Sequence, residues 1–267
     1  MRITVNGLKV YYVIAGAVSR PAIVLIHGFP MGSEMWQSQI HALKRNYRVL
    51  AYDLRGQGRS ETGDGQFTVE SLVDDLIALL DELRIERAIL SGLSMGGYVA
   101  LRAIERYTDR VKGLILCDTR SEADTNEGKL ARASTIKAIK KDGVRRFATS
   151  FLRDALSPSG FSDVRLVRAA SRIICKNRPL GLCGTLLAVA ARTDTSGFLP
   201  KIEVPTLILV GEQDRITPPD LSGRMHAAIQ CSELHTISHA GHLSNLENPS
   251  DFNRRLLEFL YENFGGQ

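Results

Sequence analysis

"ILSGLSMGGYVALRA", residues 89–103, sets Ser94 among three glycines, between a short apolar run and an apolar helical pattern. Glycine weakens strand and helix interiors by roughly 0.5–1 kcal/mol relative to alanine. Gly92, Gly96 and Gly97 therefore mark a place where the backbone takes a path that side chains would block. Gly92-Leu93-Ser94-Met95-Gly96 is a G-x-S-x-G stretch at a strand-to-helix junction. Such a junction turns sharply and pushes the serine hydroxyl outward. Side chains two positions before and after Ser94 would collide, and Gly97 lets the helix approach the sheet. The helix N-terminus favours developing negative charge. Two other readings compete. One is an N-cap serine with incidental glycines. The other is a dinucleotide loop, but that needs G-x-G-x-x-G, and Ser94 stands in the wrong place for it.

A serine hydroxyl is a poor nucleophile at neutral pH and needs a histidine base oriented by a carboxylate. The chain order that goes with this motif is Ser, then acid, then His. His242, in "HAGHLSNLENP", follows the last apolar run and precedes the last helical pattern, with His239 as the local competitor. Asp214, in "LILVGEQDRITPP", stands at the C-terminal end of a strand, with Glu212 and Asp118 as alternatives. Donors for an oxyanion are also required. In "LIHGFP", Pro30 has no N–H, so Phe29 is the candidate backbone donor there, and Met95 N–H is the second. His27 and Trp36, flanking that loop, are assigned to the substrate pocket. For Trp36 a core position at a helix start is the competing reading.

Outward from this centre, residues 1–120 alternate strand and helix signals. "ITV" and "KVYYVI" flank Asn6-Gly7, a hairpin signal. "AIVLI", "YRVLAYD", "RAIL" and "VKGLILCD" read as strands, the first a fully buried run. Val69, Leu72, Val73, Leu76, Ile77, Leu80 and Leu83 fall at helical spacing. Repeated βα units predict a mostly parallel sheet covered by helices on both faces. From residue 121 to 199 strand signals vanish and helical ones take over. The βα rhythm resumes over 200–267 with "VPTLILVGEQD" and "ELHTI", and ends in a helix capped by Asn248 and opened by Pro249. The expected organisation is a core, 1–120 and 200–267, interrupted by a helical insert, 121–199.

The totals fit one large domain, or a core with an inserted subdomain. The 267 residues are 44% hydrophobic and 24% charged, enough for a sizeable core and too apolar for disorder. The net charge is +5, but Lys and Arg are dispersed and no nucleic-acid motif occurs, so no nucleic-acid partner is expected. Residues 121–200 hold 14 Lys and Arg against 7 Asp and Glu, and the rest holds 20 against 22. That surplus reads either as steering of anionic substrates or as solvated outer faces of helices. Cys117, Cys175, Cys183 and Cys231 lack metal-ligand spacing and read as buried thiols of a reducing compartment. Neither a signal-peptide core nor a span of about 18 apolar residues is present. A cytoplasmic protein with no membrane partner is expected.

"HGFP" at 27–30, "DLRGQGRS" at 53–60, "GLSMGG" at 92–97, "GEQDRITP" at 211–218 and "GHLSNLENP" at 241–249 together resemble the α/β-hydrolase family across nearly the whole chain. The resemblance implies an eight-stranded, mostly parallel sheet with a helical cap inserted after the sixth strand. It implies Ser94 as nucleophile, His242 as base, Asp214 as orienting acid, and Phe29 and Met95 as oxyanion donors. "DLRGQGRS" is read as structural, with Asp53 and Arg55 fixing its turn. The chain is most similar to small carboxylesterases, enol-lactonases and cofactor-free haloperoxidases. Dehalogenases and epoxide hydrolases of this family carry an aspartate nucleophile, and Ser94 argues against both. The implied activity is hydrolysis of a small ester or lactone through an acyl-enzyme, with neither metal nor organic cofactor required. Alternatives are a carbon–carbon hydrolase or lyase with the same triad, and a small-molecule receptor on this fold.

Overall fold

A computed structural model describes residues 1–265. Eight strands form one sheet: β1 (Arg2–Val5), β2 (Leu8–Ala15), β3 (Ala22–Ile26), β4 (Arg48–Tyr52), β5 (Ala88–Leu93), β6 (Val111–Cys117), β7 (Thr206–Gly211) and β8 (Ser232–Ile237). Their order is β1-β2-β4-β3-β5-β6-β7-β8. β1 and β2 pair antiparallel, as do β2 and β4, and every other pairing is parallel. Asn6 and Gly7 make the β1–β2 turn at φ 47° and 78°, the positive pair that a two-residue hairpin demands.

The helices in chain order are α1 (Gln37–Leu43), α2 (Val69–Glu82), α3 (Met95–Arg106), α4 (Asn126–Ala155), α5 (Pro158–Ser162), α6 (Val164–Ile174), α7 (Pro179–Ala190), α8 (Pro219–Ala228), α9 (Ser244–Glu247) and α10 (Pro249–Phe264). The central strands read as unbroken apolar runs because both of their faces are covered. Their side chains alternate between two cores. Val24 and Ile26 of β3 join Leu90, Leu114 and Ile208 against α2, α3 and α8. Ile23 and Leu25 join Ile89, Ile115 and Leu209 against Leu43 of α1 and Phe252, Leu256 and Phe259 of α10. As the sequence predicts, Asn248 caps α10 through the Asp251 N–H, and Pro249 is its first residue.

Between β6 and β7 the described chain is helical, with α4 bent at Gly143 (φ 80°). Asp124 is a main tie of this insert. Its buried carboxylate pairs with Arg120 at 2.7 Å, Arg192 at 2.6 Å and Arg132. Burial alone would raise this carboxyl, but Arg132 and Arg192 hold it down at about 2. Arg192 also lies over the Tyr98 ring of α3, 4.2 Å from its centroid, which clamps the insert to the core. The other 12 cationic residues of 121–200 are exposed, so the surplus positive charge sits on solvated faces. No single helix among the described residues is long and apolar enough to cross a membrane. The four cysteines are unpaired, and one expectation is corrected. Cys117 and Cys183 are buried, whereas Cys175 and Cys231 lie on exposed surface.

Candidate active site

The strand order reverses at β3, because β4 lies on one side of it and β5 on the other. In open parallel sheets the crevice at such a switch point, beyond the strands' C-terminal ends, is where ligands bind. The loop from His27 to Pro30 leaves β3 at this edge and Ser94 leaves β5. Asp118, Asp214 and His242 follow β6, β7 and β8, so one edge of the sheet gathers every sequence-predicted polar residue.

Ser94 has φ 53° and ψ −113°, a left-handed backbone that a non-glycine residue holds only when its surroundings enforce it. The enforcement is visible. Ser94 N–H donates to the Cys117 carbonyl at 2.9 Å, and its own carbonyl accepts from Thr119 Oγ1 at 2.8 Å. The three glycines are explained by what a Cβ would strike. At Gly92 it would lie 2.2 Å from the Gly96 carbonyl oxygen, and at Gly96 it would lie 2.1 Å from that of Ile26. At Gly97 it would meet Thr119 Oγ1 at 2.4 Å. The turn is thus wedged between the ends of β3 and β6.

Asp214 and His242 are joined directly. The two are 3% and 1% exposed, and Asp214 Oδ2 lies 2.8 Å from His242 Nδ1. A carboxylate accepts, so Nδ1 carries the proton and Nε2 is left with a lone pair. Oδ2 also accepts from Thr217 Oγ1 at 2.7 Å, and Oδ1 accepts the N–H groups of Ile216 and Thr217 at 2.8 and 2.9 Å. Four hydrogen bonds saturate the carboxylate. Burial works to raise the Asp214 carboxyl, yet His242 and these bonds hold it below its ordinary value. Burial likewise works to lower the His242 imidazole, but Asp214, then Asp118 and Glu247, raise it above the usual histidine range. Among the described residues no hydrogen bond joins Ser94 Oγ to His242. The His242 loop is itself fixed, with its N–H donating to the Ala155 carbonyl at 2.7 Å.

Met95 N–H opens α3 directly after Ser94, and Phe29 lies in the facing loop, joined to Pro30 by a cis bond. Neither N–H donates to any protein group among the described residues. The loops are in close contact, since a Cβ on Gly28 would sit 3.2 Å from Ser94 Cβ. The Phe29 ring meets Phe147 of α4 at 5.9 Å, so the insert places apolar side chains beside this loop. Asn177, following α6, donates to the Pro30 carbonyl at 2.7 Å.

Two pocket expectations are corrected. His27 is wholly buried: Nε2 accepts the Leu54 N–H at 2.9 Å, so Nδ1 donates to the Gly28 carbonyl at 3.0 Å. Burial keeps it below the ordinary histidine value, and both nitrogens are spent on holding two loops together. Trp36 is also fully buried, in the core against Phe252 at 6.2 Å, so the helix-start core reading holds. "DLRGQGRS" is fixed as expected. Asp53 accepts from Ser33 N–H at 2.6 Å and Arg59 N–H at 2.8 Å, and Arg55 pairs with Asp75 of α2 at 2.7 Å.

Three residues beyond the sequence reading complete the site. Thr217 braces Asp214. Glu247 accepts from Gly241 N–H and Ser157 N–H, both at 2.8 Å, tying the His242 loop to the insert. Ser244 donates to Asp118 at 2.5 Å, and Asp118 also accepts the Gly211 N–H at 2.8 Å. Burial, reinforced by the Asp214 charge, pushes the Asp118 carboxyl well above the usual range. Asp118 makes no hydrogen bond to His242 among the described residues.

Residues 23–255 match the model of the alpha/beta hydrolase family. The 3-oxoadipate enol-lactonase 1 of Acinetobacter baylyi is 32% identical over 240 residues, spanning 90% of this chain and 88% of that protein. A thermophilic esterase from Thermogutta terrifontis superposes with a TM-score of 0.93 at 32% identity, covering 98% of each chain. An enol-lactonase from Burkholderia xenovorans LB400 superposes at 0.91 with 28% identity, covering 97% of this chain and 99% of the other.

Proposed function

The chain belongs to the alpha/beta hydrolase family, and we propose that it is a serine hydrolase of small carboxylic esters or lactones, working through an acyl-enzyme on Ser94. The observation that carries this reading is the buried His242–Asp214 pair, whose Nδ1–H···Oδ2 bond leaves Nε2 free as a base on the edge where the strained Ser94 is held. Esterase and enol-lactonase relatives along the full length support the substrate class.

In this mechanism Ser94 Oγ attacks the carbonyl carbon while His242 Nε2 takes its proton. The N–H groups of Phe29 and Met95 receive the developing oxyanion, each such donor being worth roughly 10²–10³ in rate. Asp214 holds the imidazole in the required tautomer and stabilises its charged form. The imidazolium then protonates the leaving alkoxide. Water, deprotonated by the same nitrogen, attacks the acyl-enzyme and releases the acid.

The test is turnover on a panel of simple esters and lactones, with Ser94→Ala as control. Ester or lactone cleavage that vanishes in the variant is expected. Activity confined to a β-diketone, or binding without turnover, would replace this reading with a carbon–carbon hydrolase or a receptor.

A further inference from the structure

We propose a second binding site at the opposite edge of the sheet: a groove across the N-terminal ends of the central strands that takes a small molecule bearing several phosphate groups. Four neighbouring strands each bring a cation to this edge. Arg48 opens β4, Arg20 stands two residues before β3, Arg87 immediately precedes β5, and Lys112 is the second residue of β6. Adjacent strands lie about 4.8 Å apart, so the four span about 14 Å. Arg84 joins them from the connection between α2 and β5. The groove they line encloses about 520 Å³, and Glu86 is the one carboxylate among its lining residues.

These five cations make no ion pair among the described residues, whereas Arg102, Arg106 and Arg110 nearby in sequence are all paired with carboxylates. The concentration is local, since the chain outside 121–200 carries 20 cationic against 22 anionic residues. Two of the guanidinium groups are anchored by backbone. Arg48 Nη2 donates to the Leu83 carbonyl at 2.9 Å, and Arg87 Nη2 donates to that of Val111 at 3.3 Å. Arg48 Nε is buried with no partner. Unpaired like charges at this spacing repel one another within a Debye length of about 8–10 Å, and a multivalent anion relieves that repulsion. Arginine presents a planar fork of donors that matches phosphate oxygens. A row of about 14 Å outspans one phosphate and suits a chain of them.

The site is separate from the catalytic edge. β3 has 5 residues, and at about 3.3 Å per residue its first and last Cα atoms lie roughly 13 Å apart. The test is calorimetric titration of the full chain with sodium tripolyphosphate at about 0.15 M salt, near physiological ionic strength. Saturable one-to-one binding is expected, at least tenfold tighter than orthophosphate. The double variant Arg87→Gln/Lys112→Gln should weaken it at least tenfold. Lys137→Gln/Lys141→Gln on the insert, with the same loss of charge, should change it less than twofold. Arg84→Asn gives an independent reading, with at least threefold weakening, because asparagine tolerates the φ of 53° there. No saturable binding, equal weakening by the groove and insert variants, or orthophosphate binding as tightly as tripolyphosphate would each overturn the proposal.

Discussion

Replacing Asp214 by asparagine changes one atom, and the structure dictates how the new side chain sits. Oδ1 accepts two backbone N–H groups, from Ile216 and Thr217. Only the amide oxygen can take that position, so the new NH₂ must occupy the place of Oδ2. There it faces Thr217 Oγ1 and His242 Nδ1, 2.7 and 2.8 Å away. A donor opposite Nδ1 forces that nitrogen to accept, and the imidazole proton moves to Nε2. The neutral ring then presents N–H, instead of a lone pair, on its catalytic side. Asp214→Asn therefore folds normally but loses about 10⁴ in kcat, the scale seen when a triad histidine is held in the wrong tautomer. That is about 5.4 kcal/mol of transition-state stabilisation. The assay is steady-state hydrolysis of p-nitrophenyl acetate from pH 5 to 9, with far-UV circular dichroism as the folding control. Asp118→Asn serves as comparison and should keep most of its activity, since Asp118 binds Gly211 and Ser244 rather than His242. An Asp214→Asn enzyme with more than a tenth of wild-type activity would refute this reasoning, as would an Asp118→Asn enzyme that is the more damaged of the two.

In the proposed mechanism His242 acts as the neutral imidazole, and its partners raise its pKa. In the wild type kcat/KM should therefore rise with pH through an apparent pKa above the ordinary value of about 6.5; a midpoint at or below that value in a pH–rate profile would contradict the ion pair. Gly96→Ala would drive a Cβ to 2.1 Å from the Ile26 carbonyl oxygen, a backbone atom with nowhere to go. It should abolish turnover or soluble expression, and a fully active Gly96→Ala enzyme in the same assay would disprove the wedged turn. Asp124→Asn strands Arg192, whose side chain is 2% exposed, and should cost about 3–5 kcal/mol in urea unfolding. Because the Asp124 carboxyl is held down at about 2, its contribution is complete above an unfolded value of about 3.9. It is lost as pH falls through the folded one, so acid unfolding of wild type and variant should converge below that point.

The sheet, its order of elements and the turn at Ser94 were legible because local signals dictate them: short unbroken apolar runs, helical stripes, and glycines that admit a backbone path. The pairing of Asp214 with His242 was legible from motif and chain order, since each lies in the loop after a strand that its apolar run locates. What holds the surrounding loops was not. Glu247 meets Ser157 from 90 residues away, and Ser244 meets Asp118 from 126. No local pattern encodes such pairings, although Ser244 and Glu247 lie in "GHLSNLENP" and Thr217 in "GEQDRITP". The buried places of His27 and Trp36 are not encoded locally for a related reason. A polar ring beside a candidate oxyanion loop suggests a ligand contact, and only the fold shows that Leu54 N–H, 27 residues on, consumes the His27 nitrogen.

The central claim is that Ser94 is an activated nucleophile, and covalent labelling tests it most directly. The folded protein is incubated with an organophosphonate ester and its intact mass is measured, alongside Ser94→Ala. Attack by Ser94 Oγ on phosphorus expels the leaving group and adds one phosphonyl group to the chain. The account predicts one added group on the wild type, mapping to the peptide that holds Ser94, and none on the variant. A folded wild type that stays unmodified, or a Ser94→Ala protein labelled equally, would contradict it.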